Sequence, residues 1–196
     1  IGDPMFLLDT VTYASFGGAY PYFNTIIAHA APDYFGGFTQ EFSYKNFELD
    51  FYFTFSQGGK LFWGEDGNST EFTGTNNADV SMLGRWTPSN PNATRPRLML
   101  NDGFLYASNL SVYNSSYVKL RTLTLNYKLD GAKWFSGKGF RSATVFGSLT
   151  NVFTITKYPG PDPEVSDDAY STGGGYFDAS NFPPTRTISL GIKVGF

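Results

Sequence analysis

Cysteine is absent, histidine occurs once, and only 16% of the residues are charged in this chain of 196. Without cysteine there is neither a disulfide framework nor a thiolate for catalysis or zinc. A soluble domain typically carries about 25% charged residues, so this chain is poor in charge. The formal net charge of −3 leaves no basic surface to attract nucleic acid. No run of about 18 apolar residues occurs, which excludes a membrane-spanning helix. The opening I-G-D-P-M-F has no basic segment, apolar stretch or cleavage site of a secretory signal. The chain is therefore expected either to start as a mature protein or to be a piece of something longer. Helical periodicity is close to absent too.

Aromatic residues and glycine are abundant, with 20 Phe, 13 Tyr and 22 Gly. The aromatics fall into period-two patterns. In F-E-L-D-F-Y-F-T-F-S-Q, Phe47, Leu49, Phe51, Phe53 and Phe55 share one face, and Glu48, Asp50, Tyr52, Thr54 and Ser56 share the other. Successive strand residues point to opposite sides, so 47–57 reads as a strand with one apolar and one polar face. Its length suits the about 9–11 residues of a tilted transmembrane strand. Just before it, Phe38, Gln40, Phe42 and Tyr44 alternate with Thr39, Glu41, Ser43 and Lys45, giving a strand over about 38–45. Little more than Lys45-Asn46 joins the two, as in a tight hairpin.

Further strands are expected at about 117–129, 142–153 and 185–196, with a sixth from Met5 in M-F-L-L-D-T-V-T-Y. In Y-V-K-L-R-T-L-T-L-N-Y-K-L, Leu123, Leu125, Tyr127 and Leu129 keep one phase, but Val118 and Leu120 keep the other. That change of phase predicts a β-bulge or a change of environment near Arg121. The stretch 142–153 is β-rich and ambiguous in face. In the final I-S-L-G-I-K-V-G-F, Ile188, Leu190, Ile192, Val194 and Phe196 alternate with Ser189, Gly191, Lys193 and Gly195.

Long irregular segments, 58–116 and 154–184, alternate with a tight turn at Lys45-Asn46 and a shorter link at 130–141. Short turns at one end and long loops at the other mark an antiparallel transmembrane β-barrel of the outer membrane. Lipid pairs with no backbone group, so such a sheet must close on itself. The expected lipid-facing set is Phe47, Leu49, Phe51, Phe53, Phe55, Ile188, Leu190, Ile192 and Val194, with Glu48, Asp50 and Lys193 turned to the lumen. Tyr44, Phe47, Tyr127 and Phe196 would form an interfacial girdle. Five or six strands are too few, since even the smallest such barrels use about eight. The chain is thus expected to be part of a larger barrel.

Five ordered stretches resemble SusC/RagA-type TonB-dependent transporters of the Bacteroidota outer membrane. They are P-D-Y-F-G-G-F-T-Q-E-F-S-Y-K-N-F-E-L from Pro32, R-W-T-P-S-N-P-N from Arg85, S-S-Y-V-K-L-R-T-L-T-L-N-Y-K-L from Ser115, T-N-V-F-T-I-T-K-Y-P-G-P-D-P-E from Thr150, and the ending P-P-T-R-T-I-S-L-G-I-K-V-G-F. Within the first, Tyr34 and Phe35 are shifted against the family pattern and Gln40 replaces Asn. The resemblance implies that residues 1–196 form the C-terminal part of a barrel of about 22 strands with a plugged lumen. It implies import of a nutrient, an oligosaccharide or a peptide, with TonB as the energy source and a SusD-like surface lipoprotein as partner. Phe196 would end the strand read by the barrel-assembly machinery. The plug, the TonB-contacting region and most strands of the family pattern are not in this sequence.

Catalysis has little support. His29 has no nucleophile motif beside it, no spacing fits zinc, and no cofactor is expected. Asp162, Glu164, Asp167 and Asp168 lack the regular spacing of calcium loops and read as a solvated acidic loop. G-K-G-F-R-S and G-G-G-Y-F-D read as flexible turns rather than phosphate loops. The sequons at Asn68, Asn92, Asn109 and Asn114 fit chance in Asn- and Ser-rich loops. Among the loop aromatics, Trp63, Phe62, Tyr106, Tyr113 and Tyr176 are the candidates for contact with a ligand or partner, with packing inside the loops as the competing reading. Trp86, in a family motif, reads as structural. The alternative function is a secreted β-sheet carbohydrate-binding module; an outer-membrane hydrolase is the weakest of the three.

Overall fold

A computed structural model describes residues 28–64, 71–72, 80–97, 99–100, 109–129, 141–164, 177–178 and 182–195. In chain order the strands are β1 (Tyr34–Tyr44), β2 (Phe47–Gln57), β3 (Lys60–Trp63), β4 (Glu71–Phe72), β5 (Met99–Leu100), β6 (Val112–Asn114), β7 (Tyr117–Lys128), β8 (Ser142–Thr156), β9 (Phe177–Asp178) and β10 (Thr187–Gly195). The expected strand from Met5 lies outside the described residues.

The chain divides into two compact units. The first, Ala30–Leu61 with Asn114–Ser166 and Asn181–Phe196, holds a five-stranded antiparallel sheet in the order β1-β2-β7-β8-β10. Each strand pairs with the next in the chain once the long segments are passed over. Tyr44 pairs with Phe47, so Lys45 and Asn46 alone make the turn, with Lys45 at φ 54°. Asn46 fastens that turn to β7, because its Nδ2 donates to the Lys128 carbonyl at 2.6 Å. At the opposite end Gly58 leaves β2 with φ 98°, where a Cβ would run into the Asp33 carboxylate. Glycine is the residue that adopts this conformation without strain. β1 starts at Tyr34, β7 ends at Lys128, β8 extends to Thr156 and β10 begins at Thr187, so these bounds differ by a few residues from the sequence pattern.

Cross-strand register sorts the side chains by face. One row runs Phe42, Leu49, Leu125, Gly147, Leu190; the next runs Gln40, Phe51, Leu123, Leu149, Ile188. Rings knit this face together: Phe38 stacks on Phe53 with centroids 5.1 Å apart, and Phe53 meets Phe153 edge-on at 6.1 Å. Such aromatic pairs add about 0.5–1.5 kcal/mol each beyond burial. The face is nonetheless open, with Leu190 83% exposed and Ile188 69%. An apolar surface of this extent is rare on a soluble monomer and marks a place where lipid or protein belongs.

The second unit, which includes Phe62–Tyr113 and Asp167–Ser180, is built from short pieces. A three-stranded sheet has the order β6-β3-β9, with Phe62 and Trp63 paired in parallel to Phe177 and Asp178. β4 and β5 form a two-stranded parallel sheet, and 3₁₀ turns occupy Val80–Gly84 and Asn109–Ser111. The segment 58–116, read from sequence as irregular, therefore contains regular structure. Runs as short as these fall below the length at which alternation can be recognised.

Candidate functional site

The second face of the five-stranded sheet is polar. Glu41, Asp50, Thr124, Ser148 and Ser189 form one cross-strand row. Within it Asn126 Nδ2 donates to Asp50 at 3.2 Å, and the Thr124 and Ser148 hydroxyls share a bond of 3.0 Å. Lys128 pairs with Glu48 at 3.2 Å. The carboxylates of Glu41, Glu48 and Asp50 gather within 4.8 Å of one another. Two of the three are answered by Lys128 and Asn126.

Phe47, Leu49, Phe51, Phe53, Phe55, Ile188, Leu190, Ile192 and Val194 all project from the apolar face, and Glu48, Asp50 and Lys193 from the polar one. Phe196 lies outside the described residues.

A bulge carries the most concentrated chemistry. Phe53 pairs with Leu120 and Tyr52 with Thr122, so Arg121 is the extra residue against β2. Against β8, Leu120 pairs with Phe153 and Thr122 with Thr150, leaving Asn151 and Val152 opposite Arg121. Asn151 takes φ 53°, and its Nδ2 donates to the Thr185 carbonyl at 3.0 Å. A bulge re-aims the side chain that it adds. Arg121 thereby turns to the polar side, where its Nε donates to Thr54 Oγ1 at 3.1 Å.

Beside it Lys119, only 4% exposed, donates to both Asp162 oxygens at 2.5 and 2.7 Å and to Glu164 Oε2 at 2.8 Å. Arg121 pairs with the other Glu164 oxygen, and Tyr117 Oη donates to that oxygen at 3.1 Å. Asp162 Oδ1 also accepts from the Glu164 amide at 2.9 Å. Burial pushes the Glu164 carboxyl up, but the hydrogen bond and charge of Lys119 and the charge of Arg121 outweigh it and hold the group below its ordinary value. The reading of Asp162 as part of a solvated acidic loop is thus corrected, while Glu164 is exposed as well as paired. Asp162 is buried, because Lys119 of β7 supplies what water would otherwise provide. Asp167 and Asp168 lie outside the described residues.

The chain approaches this cluster through K-Y-P-G-P, where Thr156 Oγ1 donates to the Ser116 carbonyl at 2.8 Å and Tyr158 is 5% exposed. A Cβ at Gly160 would meet the Tyr158 ring. A cleft of about 220 Å³ lies alongside, lined by Lys119, Arg121, Phe153, Pro161, Asp162 and Arg186 among others. That is below the roughly 300–1,000 Å³ of sites for drug-sized ligands.

In the second unit, Phe62 stacks on Phe177 with centroids 5.5 Å apart, and Trp63 meets Tyr113 edge-on at 6.1 Å. The structure thus brings three of the five candidate contact residues into aromatic pairs, while Tyr106 and Tyr176 lie outside the described residues. Trp86 belongs to a tight turn: its amide donates to the Arg95 carbonyl at 3.0 Å, and Thr87 and Asn90 bridge. Sequence reasoning did not single out Lys119 and Arg121 as site residues. Their signal was two cations flanking the phase change in Y-V-K-L-R, with carboxylates spaced alike in D-P-E.

The chain matches no protein-family model. It is 31% identical over 179 residues to TonB-dependent receptor P3 of Formosa agariphila, a match covering 87% of this chain and 17% of that protein. It is 28% identical over 172 residues to TonB-dependent receptor SusC of Bacteroides thetaiotaomicron, covering 85% of this chain and 15% of SusC. Among solved structures it resembles a chain of the RagAB peptide transporter with a TM-score of 0.72 and 26% identity, over 87% of this chain and 18% of that one. The same complex in an open-open state gives a TM-score of 0.70. The chain therefore spans less than a fifth of the length of these relatives.

Proposed function

Because the chain belongs to the TonB-dependent receptors of the SusC and RagA type, we propose that it forms the C-terminal strands of an outer-membrane barrel that imports a nutrient. The barrel would hold about 22 strands around a plugged lumen. The observation that carries this reading is the sorting of faces across all five strands. The apolar rows, as open as Leu190 at 83%, suit lipid, and the polar rows suit a water-filled interior. Both long segments leave from one end of the sheet, as extracellular loops would. The nutrient would be an oligosaccharide or a peptide, as the family resemblance implies; the similar RagAB complex is a peptide importer. Energy would come from TonB through the N-terminal region, and a SusD-like lipoprotein would sit over the long segments. The barrel-assembly machinery would read the strand that ends at Phe196. The relatives favour this reading over a secreted carbohydrate-binding module.

The test is uptake by cells that produce the full-length transporter as their only importer of its class, offered labelled maltodextrin or a tryptic peptide digest. Uptake of one class, lost when TonB is removed, is the expected result. Uptake that persists without TonB would contradict active import. Trp63→Ala in the same assay asks whether the Trp63–Tyr113 pair meets the nutrient. Affinity should fall by about 1–3 kcal/mol, with barrel abundance unchanged.

A further inference from the structure

Lys119 and Asp162 form a buried ion pair that the transport reading leaves unused. Four features set it apart from an ordinary surface salt bridge. Lys119 and Asp162 are 4% and 6% exposed. Both oxygens of Asp162 accept from Nζ, and a third bond runs from Nζ to Glu164. Arg121 closes the ring on Glu164, so two cations meet two carboxylates. The partners come from different parts of the chain: the cations from β7, the carboxylates from the connection that follows β8.

Buried pairs contribute little net stability against apolar replacements, yet losing one partner is strongly destabilising, because it strands a buried charge. The best-attested use of such a pair is to select one arrangement over its competitors. Here the selected arrangement is the position of residues 157–164 against β7. The connection leaves β8 at Thr156, is tied to Ser116, seats Tyr158 over Gly160 and then reaches the cluster.

We propose that the Lys119–Asp162–Glu164–Arg121 cluster is a charge clasp that fixes the root of the second long connection to β7, and that Lys119 and Asp162 are positioning residues for nutrient capture. The role in capture rests on the import reading; the clasp does not. A connection held in place before the nutrient arrives loses less conformational freedom on binding. Charge complementarity, rather than the identity of each residue, is what the clasp requires.

The experiment uses the full-length transporter in lipid vesicles, without ligand, and follows deuterium exchange of the peptide covering 157–164. Asp162→Asn and Lys119→Met should each raise its exchange rate about tenfold or more. The double swap Lys119→Asp with Asp162→Lys should return it toward wild type. Lys119→Arg, which keeps the charge, serves as a second restoring variant should the swap fail to fold. Unchanged exchange in both single variants would overturn the clasp, as would failure of Lys119→Arg and of a folded swap to restore it. Binding of maltodextrin and of a tryptic peptide digest is then compared between wild type and Asp162→Asn at equal amounts of folded barrel. Weaker binding of a probe that the wild type holds supports the positioning role, and unchanged binding overturns it. A wild type that binds neither probe counts against the import reading, while the exchange result still decides the clasp.

Discussion

Phe53 of β2 faces Leu120 of β7, while Tyr52, one residue earlier, faces Thr122. The residue skipped between them, Arg121, keeps Leu120 and Leu123 on one face although their spacing would put them on opposite faces of a regular strand. The apolar surface therefore continues across the sheet, and the surplus side chain goes to the polar side.

On β8 the same irregularity is held by Asn151 at φ 53°, a conformation that costs an ordinary L-residue about 1–2 kcal/mol. Asn151→Ala loses both the tolerance for this conformation and the bond to Thr185. It should destabilise the full-length barrel by about 1–2 kcal/mol, and Asn151→Gly by less. Urea unfolding in vesicles separates the two; equal midpoints for Ala and Gly would argue against backbone strain as the cause.

Leu123 lies in the apolar row between Phe51 and Leu149, whereas Thr122 lies in the polar row between Tyr52 and Thr150. A lysine on the lipid face near midplane costs about 2–4 kcal/mol, and one on the lumen face far less. Leu123→Lys should therefore lower folded barrel in the outer membrane sharply, and Thr122→Lys only slightly. Heat-modifiable electrophoretic mobility reports the folded fraction. Similar losses for both variants would be inconsistent with sidedness.

Glu164 sets an acid limit on the clasp. Its folded pKa is lowered from the ordinary 4.5, so the stability that it contributes is fully present above that value. The contribution is lost as pH falls from there through the lowered folded value. Glu164→Gln should flatten this part of the profile, making the variant less stable than wild type at neutral pH and closest to it in acid. Exchange of the 157–164 peptide across that range is the measurement. A constant gap between the two proteins would rule out Glu164 as the titrating group.

Much of the sheet was legible because its side chains obey a strict period. In β2 every apolar residue from Phe47 to Phe55 sits two positions from the next, and the phase change in β7 announced the bulge at Arg121. β8 was ambiguous because Gly147 stands on the apolar face and Phe146 on the polar one. The ring of Phe146 covers Gly191 of β10, and Lys193 Nζ lies 5.2 Å above it. No local pattern could report that arrangement. The clasp was hidden for a related reason: Lys119 and Asp162 are 43 residues apart, and a pairing at that separation leaves no periodic trace. The acidic run before Asp168 looked solvated because carboxylates usually are, and only the fold supplies the cation, Lys119, that buries one of them.

The central claim is that one face of this sheet meets lipid and the other the barrel interior. Phe51 and Asp50 are adjacent in β2 and point to opposite faces. Each is replaced by cysteine in the full-length transporter, with any other cysteines removed, and carries a nitroxide spin label in bilayers. Relaxation by oxygen, which partitions into lipid, is compared with relaxation by a water-soluble nickel chelate. The account predicts that oxygen dominates at position 51 and that its advantage over the chelate is much smaller or reversed at position 50. Equal ratios at the two positions, or a label at 51 that responds mainly to the chelate, would contradict it.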